Sequence, residues 1–272
     1  MKPVILLRKS SSYNYFHREY NKEESEPEVA EKYFPVYNIR GEIPPESLVI
    51  PRYSALPYFS ELEQDLKLKN CKMLNSFLEY SYIADITAYY EDLKDYTPKT
   101  YSEWGNLAEG KWIVKGKTNS RKFNWDTHMY AEGRENLLQV IKNNLDDPFI
   151  SEQGIVVREY VPLKQVGTSF RGLPISREWR CFFYKENLLC SGFYWSSHSD
   201  LFDEPLSQEG IAFVKDVAKI VSKKTNGFVI DVGEKKEGGF IVIELNSMEM
   251  AGLSNCDPEE LYSSLFNLIN KE

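Results

Sequence analysis

The 272-residue chain lacks most of the signatures that announce a chemistry outright. It has four cysteines, Cys71, Cys181, Cys190 and Cys256, and no CxxC pair, which argues against a zinc site. Its three histidines, His17, His128 and His198, are scattered and have no cysteine beside them. No serine or cysteine nucleophile motif is present, so the histidines read as structural or surface residues. Neither GxxxxGK[ST] nor GxGxxG occurs, which excludes the standard phosphate-binding and dinucleotide loops. Long apolar runs are missing too. "MKPVILLRKSSS" holds a five-residue apolar run, too short for a signal core, and nothing approaches the roughly 18 apolar residues of a membrane span. Basic excess is absent: 33 Lys and Arg stand against 41 Asp and Glu, for a net charge of −8. Bulk electrostatic binding to DNA or an anionic membrane is disfavoured, although a local basic cleft is not. Free thiols and no evident leader lead us to expect a cytoplasmic protein.

What is present suits a folded protein. Apolar residues make up 42% and aromatics 14%, enough for a real core. The length fits one large domain or two smaller ones. No repeat or low-complexity tract appears. The charge-rich "NKEESEPEVAEK" reads as a solvated loop and helix start punctuated by Pro27. "PVILL", "SLVIPRY" and "CKML" read as strands around a helix with Phe59, Leu62, Leu66 and Leu68 on one face. That alternation predicts a small α/β domain over residues 1–97. Pro98 marks a boundary, and residues 98–272 form the second domain. There "KWIVKGK" and "GIVVREYV" are strands, and Leu137, Val140, Ile141 and Leu145 stripe a helix. "REWRCFFYKENLLCSGFYW" is a hairpin. A helix with Ile211, Val214, Val217, Ala218 and Val221 inward is expected to end at an Asn226-Gly227 cap. Asp257 and Pro258 open the last helix.

The informative stretch is "FVIDVGEKKEGGFIVIELN", residues 228–246. Two apolar runs flank a turn, a hairpin signal. With Glu237-Gly238 as a two-residue tip, Asp231 lies opposite Glu244 and Val229 opposite Asn246. Strand side chains alternate, so Asp231, Glu244 and Asn246 share a face. Opposed carboxylates repel unless a cation neutralises them. Two carboxylates and an amide suit Mg²⁺, which takes one or two protein carboxylates and completes its shell with phosphate and water. The alternative is an exposed hairpin end with lysine partners.

Phosphate chemistry would need cations elsewhere. "KWIVKGKTNSRKFNW" offers Lys115, Lys117, Arg121 and Lys122 about a loop with Gly116 and Ser120; a solvated basic loop is the alternative. In "REWRCFFY", Glu178 and Arg180 share a strand face, and Arg180 needs a phosphate or Glu178 as partner. "REYVPL" runs a strand into Pro162, freeing backbone groups of Glu159 and Val161 for a flat heterocycle.

Taken in order, "VK…SRKFNW", "VVREYVPL", "REWRCFF" and "IELNSMEMAGL" resemble the ATP-grasp superfamily. Within it they resemble a stand-alone bacterial and phage clade of unassigned substrate. The resemblance covers about residues 98–255. It implies an α+β fold in which two subdomains grip ATP, preceded by a small α/β domain. It implies ATP and Mg²⁺ as cofactors, with Asp231, Glu244 and Asn246 holding the metal. Lys115 would contact the phosphates. Ser120, Arg121 and Lys122 would lie in the covering loop, with Lys117 beside them. Glu159, Tyr160 and Val161 would form the adenine hinge, and Arg158 and Glu178 would join the nucleotide-binding set. Arg180 would face the γ-phosphate, which with Lys115 makes the catalytic pair. The implied activity is ATP-dependent ligation of a carboxylate to an amine or thiol through an acyl phosphate. Small-molecule or peptide substrates are implied, while the acidic charge and the lack of an apolar span argue against nucleic acid and membrane. Arg52 would hold an acceptor carboxylate, or be a surface arginine. The covering loop departs from the family in lacking glycine richness, and Lys164 follows the hinge where an acid is usual. Two alternatives stand: an ATP-binding assembly chaperone with a protein partner and little turnover, and a ligase or kinase acting on a nucleic-acid base or peptide.

Overall fold

Three four-stranded sheets organise the chain. The computed structural model describes residues 1–7, 22–53, 58–107, 109–169 and 172–271. His17 and the start of the charge-rich patch fall outside these residues.

The first sheet is parallel. Its strands are β1 (Lys2–Leu7), β2 (Val36–Tyr37), β3 (Ser47–Arg52) and β4 (Lys72–Met73), ordered β2-β1-β3-β4. Helix α1 (Lys22–Tyr33) runs through Pro27, which therefore does not mark a loop. Tertiary anchoring offsets the helical hydrogen bond that proline lacks. The neighbouring Glu26 pairs with Arg52 at 2.7 Å and accepts the Tyr262 hydroxyl at 2.7 Å. Helix α2 (Phe59–Lys67) buries Phe59, Leu62 and Leu66. Leu68, expected in that stripe, is 86% exposed because the helix has already ended.

Helices α3 (Phe77–Ala84) and α4 (Ile86–Leu93) follow. A Ser76–Glu79 capping box opens α3, and Asp85 caps α4. Their Ile83, Ile86, Tyr89 and Leu93 pack into the core of the third sheet, although they precede residue 98 in the chain.

The second sheet is antiparallel: β5 (Thr100–Tyr101), β6 (Lys111–Gly116), β7 (Tyr130–Glu132) and β8 (Ile155–Glu159), ordered β5-β8-β6-β7. Helix α5 (Arg134–Leu145) covers it with Leu137, Val140 and Ile141, and the short α6 (Pro148–Ser151) follows. Leu145, expected in the stripe, is the last residue of α5 and is exposed. A two-stranded ribbon, β9 (Gln165–Thr168) and β10 (Pro174–Ser176), leads to the third sheet.

The third sheet is antiparallel: β11 (Glu178–Tyr184), β12 (Asn187–Phe193), β13 (Gly227–Glu234) and β14 (Phe240–Ser247), ordered β12-β11-β13-β14. Both faces are covered, which explains why every residue of β11 is buried. Helix α7 (Gln208–Val221) packs on one face with Val214, Val217, Ala218 and Val221. Helix α8 (Pro258–Ile269), capped by Asp257, packs on the other with Leu261, Tyr262 and Leu265. Asn226-Gly227 does not cap α7. That helix ends at Ser222, and Gly227 opens β13. The Asn226 side chain is instead spent on Leu74 O and Glu79.

A buried polar knot joins the first and third sheets. Asn75 donates to Gly227 O (2.6 Å) and to Glu249 (2.8 Å), while its own carbonyl oxygen accepts from Thr225, Asn226 and Gly227. Glu249 also accepts from Ser247. Burial, against these donors, pushes the Glu249 carboxyl up to about 7. A raised carboxyl binds its proton more tightly in the native state, so it favours folding below its ordinary value and loses that contribution as pH climbs to about 7. Glu249→Gln, which keeps volume and an acceptor, should flatten that decline. Chemical denaturation at pH 4.5 and 8 should show the variant losing about 2–3 kcal/mol less than wild type. Parallel pH curves for the two proteins would refute this.

Candidate functional site

The hairpin β13–β14 places its acids through an irregularity. The connection is the five-residue segment 235–239, closed by Lys235 N–H to Gly239 O at 2.9 Å. Gly238 and Gly239 take φ of +97° and +72°, which glycine permits without strain. The expected two-residue tip is therefore wrong, and near the turn the pairing is one residue off. A bulge between Asp231 and Val232 leaves Ile243 unpaired and restores the register. Asp231 thus faces Glu244, and Val229 faces Asn246.

Arg180 on β11 lies directly across from Asp231, so one row of the sheet reads Arg180, Asp231, Glu244. The guanidinium grips Asp231 through Nε at 2.9 Å and Nη2 at 2.8 Å. This bidentate fork is the strong form of the contact. Nη1 donates to Gly252 O at 2.9 Å. Gly192, on the far side of Arg180, admits this loop: a Cβ there would sit 2.3 Å from the Asn255 backbone. Asn246 donates to Asp231 at 2.8 Å.

Glu244 is neutralised from the opposite sheet. Lys115, at the end of β6, is 5% exposed and bonds directly to its carboxylate. Lys122 reaches the other oxygen at 3.8 Å. Burial opposes ionisation of Glu244, but Lys115 and Lys122 outweigh it and hold the carboxyl well below its ordinary range. Burial likewise pulls the Lys115 ammonium down, against the attraction of Glu244. Within the fold itself, protein cations partner both hairpin acids. They do so in a buried setting and not at an exposed end.

Of these charges, Lys122 also lines a cleft between the second and third sheets, together with Arg158, Glu178 and Trp195. One wall is the segment Arg158–Val161 at the end of β8. Glu159 N–H bonds Lys99 O and Tyr160 N–H bonds Lys111 O, both at 2.9 Å. Among the described residues no backbone carbonyl accepts from Val161 N–H. Apolar side chains of Ile113, Trp125, Met129, Leu173 and Ile243 line the cleft beside it. Deeper in, Glu178 accepts Trp195 Nε1–H at 3.0 Å, and burial, against the pull of Lys122, pushes its carboxyl up to about 7.

Not every predicted residue converges here. Arg121 is committed to Asp147, with Nε at 2.6 Å and Nη2 at 2.8 Å, and lies over the Phe149 ring. Lys117 lays its chain against Gly154, and its backbone carbonyl accepts Ile86 N–H. Ser120 is half-buried in the loop between them and Lys122. Arg158 does line the cleft, but it is buried and its guanidinium is bonded to Thr97, Thr100 and Ile243 O. Arg52 is neither a surface residue nor a free ligand for an acceptor. Its guanidinium is spent on Glu26, Met248 O and Ala251 O. Sequence reasoning missed Tyr194 and Trp195. Lys122 lies 4.3 Å from the Tyr194 ring centroid, and Arg180 lies 4.9 Å from it. Following the β11–β12 hairpin one residue past Phe193 would have found Tyr194, whose N–H bonds Glu178 O.

The donor set fits a hard cation. Asp231, Glu244 and Asn246 offer oxygens within one row and the next, and two carboxylates suffice for Mg²⁺ bound with phosphate. Among the described residues no three acidic, histidine or cysteine side chains form a ready metal cage, so phosphate would have to complete the shell.

Comparison with known proteins agrees with this architecture. A family profile described as "ATP-grasp domain, R2K clade family 3" matches residues 102–265. No curated protein matches the chain in sequence. Among solved structures, the fold is similar to the D-cycloserine synthetase DcsG, with a TM-score of 0.63, 9% identity, and 98% of this chain and 99% of that one covered. It is similar to D-alanyl-alanine synthetase A from Vibrio cholerae O1 biovar eltor, with a TM-score of 0.58, 12% identity and coverage of 98% and 96%. It is also similar to the ATP-grasp ligase PsnB in complex with a precursor peptide and AMPPNP, with a TM-score of 0.57, 12% identity and coverage of 98% and 96%. At these identities the likeness is one of fold.

Glu244's low carboxyl contributes stability above its ordinary value and loses it as pH falls through the depressed one. Lys115→Met should move the Glu244 carboxyl titration, followed by NMR, toward higher pH. It should also cost about 3–5 kcal/mol at pH 7, the usual cost of orphaning a buried charge. An unmoved titration would show that Lys115 does not set this charge.

Proposed function

The chain belongs to the R2K clade, family 3, of ATP-grasp domains, and on that premise we propose that it is an ATP-dependent ligase joining a carboxylate to an amine or thiol through an acyl phosphate. ATP with Mg²⁺ is the cofactor this reading assigns, in keeping with a D-alanine–D-alanine ligase bound to ATP and PsnB bound to Mg and ADP among similar folds. One observation carries the reading. Lys115, Lys122 and Arg180 converge on two opposed carboxylates, and Lys122 also lines a cleft walled by apolar side chains and the hinge Glu159–Val161. Burying so many charges costs more than an apolar core would, so stability alone does not account for them.

The apolar lining beside Glu159, Tyr160 and Val161 supports seating a heterocycle there, with the Val161 N–H as a donor to it. Glu178, inside the same cleft, is placed to accept hydroxyls of a sugar. Asp231, Glu244 and Asn246 would hold Mg²⁺, which supplies charge neutralisation at the phosphates. Lys115 and Lys122 are within reach of the same phosphates, and Tyr194 and Trp195 keep the Lys122 ammonium over their rings. Arg180 stands at the acid row where charge would develop on the transferred group, and no covalent enzyme intermediate is required. Residues 98–272 would be the nucleotide-holding unit. Residues 1–97 would face it through Arg52 and Asn75, closing the acceptor side.

Substrates of the class handled by the structural neighbours, an amino acid or a peptide, suit this assignment. The test is release of ADP and phosphate from Mg·ATP across a panel of carboxylate–amine pairs. Turnover only with a matched pair supports the ligase. ATP-dependent capture of a protein without turnover supports the chaperone alternative instead. Within that assay, Glu244→Gln should weaken Mg·ATP binding about tenfold or more, or abolish turnover, with the circular dichroism spectrum unchanged. Arg180→Lys keeps the charge but loses the fork. It should lower kcat about 100-fold while the KM for ATP stays within about threefold. Equal losses in both would assign Arg180 to ground-state binding.

A further inference from the structure

The edge of β14 carries a feature that nucleotide binding does not explain. β14 is the last strand of its sheet, and the bulge at Ile243 breaks its ladder beside Glu244. Backbone groups on such an edge need partners. They are supplied one by one from outside the sheet. Val242 N–H bonds Tyr96 O at 2.8 Å, and Val242 O accepts Thr97 Oγ1–H at 2.9 Å. Leu245 N–H bonds the Tyr89 hydroxyl at 3.3 Å. Ile243 O, the carbonyl of the bulged residue itself, accepts Arg158 Nη1–H at 2.5 Å.

Arg158 comes from the facing sheet. It is the residue on β8 immediately before the hinge Glu159–Val161. It is 4% exposed, and its other two donating nitrogens are fixed by Thr97 (2.6 Å) and Thr100 (3.2 Å). A buried guanidinium normally sits on a carboxylate; this one holds a bulge carbonyl and two hydroxyls. We propose that Arg158 is a positioning residue, a latch by which the hinge strand β8 holds the bulge that sets Glu244 opposite Asp231. The inference rests on the ligase reading above for what Glu244 does, but the latch itself is a property of the nucleotide-free fold. It differs from the expectation that Arg158 contacts the nucleotide directly. Without the latch, Ile243 could re-enter the ladder and shift Glu244 by one residue, which turns its side chain to the other face.

The experiment compares wild type, Arg158→Gln and Arg158→Lys as full chains. Amide hydrogen exchange across residues 240–247 is followed without nucleotide, and ADP binding is measured by calorimetry with and without Mg²⁺. The latch predicts exchange about tenfold or more faster in β14 than in wild type, with β11 unchanged. It predicts an Mg²⁺-dependent gain in ADP affinity reduced about tenfold or more, over and above any change in metal-free affinity. Lysine keeps the charge but not the fork, so Arg158→Lys should not restore the Mg²⁺ gain. Restoration by lysine, or an equal loss of metal-free ADP affinity, would show direct phosphate contact and overturn the proposal. Unchanged β14 exchange would overturn it as well. Should Arg158→Gln fail to fold, Thr97→Val removes one anchor of the guanidinium and must give the same two changes in smaller measure; an unaltered Thr97→Val would overturn the latch. Wild-type protein that gains no ADP affinity from Mg²⁺ would instead sink the ligase reading, leaving the exchange comparison to decide the latch alone.

Discussion

The structure turns on two carboxylates that face each other across a hairpin. Asp231 and Glu244 sit on adjacent strands with their side chains on one face, where uncompensated charge is strongly unfavourable. Each is answered from a different direction. Arg180 neutralises Asp231 from within the sheet, while Lys115 and Lys122 neutralise Glu244 from the sheet opposite. The second pairing makes the relation of the two sheets part of the electrostatics. The sheets cannot part without uncovering a buried acid, and a phosphate that takes over the lysines would change what the acid needs.

Other buried polar groups do similar work at the seams. Asn75 and Glu249 join the first sheet to the start of β13 and the end of β14. Arg52 ties α1 to the loop at Met248 and Ala251. Arg158 ties the hinge strand to the bulge. Each of these side chains has its donors or acceptors spent on named partners, which makes a low-dielectric polar contact rigid and not merely costly. The site is thus framed by directional bonds, while the apolar clusters on both faces of the third sheet supply bulk cohesion. Tyr194 and Trp195 add an aromatic wall that keeps Lys122 from wandering toward solvent.

Much of this was legible from local pattern. Apolar runs marked β1, β3, β4, β6, β8 and the strands of the third sheet, helical period marked α2, α5 and α7, and the Asp257-Pro258 cap marked α8, while β2, β5, β7, α3 and α4 went unmarked. Errors fell where local signals compete with tertiary ones. Pro27 reads as a break, yet Arg52 and Tyr262 hold Glu26 and keep the helix whole. Asn226-Gly227 reads as a cap, yet Asn226 is drawn to Leu74 and Glu79. Leu68 and Leu145 fit their stripes by period but sit at helix ends where the chain turns away. The opposition of Asp231 and Glu244 was inferred from a turn that the chain does not make. The five-residue connection and the Ile243 bulge displace the pairing by one residue each, in opposite senses, so the acids meet regardless.

The sequence by itself determined most of the strand-and-helix order and the ordered motifs that mark the family, because these depend on neighbours within a few residues, whereas the shared face of the hairpin acids also needed the bulge at Ile243. Only the tertiary structure decided the partners of the charges. Arg121 went to Asp147, Arg52 to Glu26 and Arg158 to Ile243 O, whereas Lys115, Lys122 and Arg180 reached the acid row. The physical reason is reach. A buried cation must find an acceptor within about 3 Å, and which acceptor lies that close is set by how strands from distant parts of the chain pair and face one another.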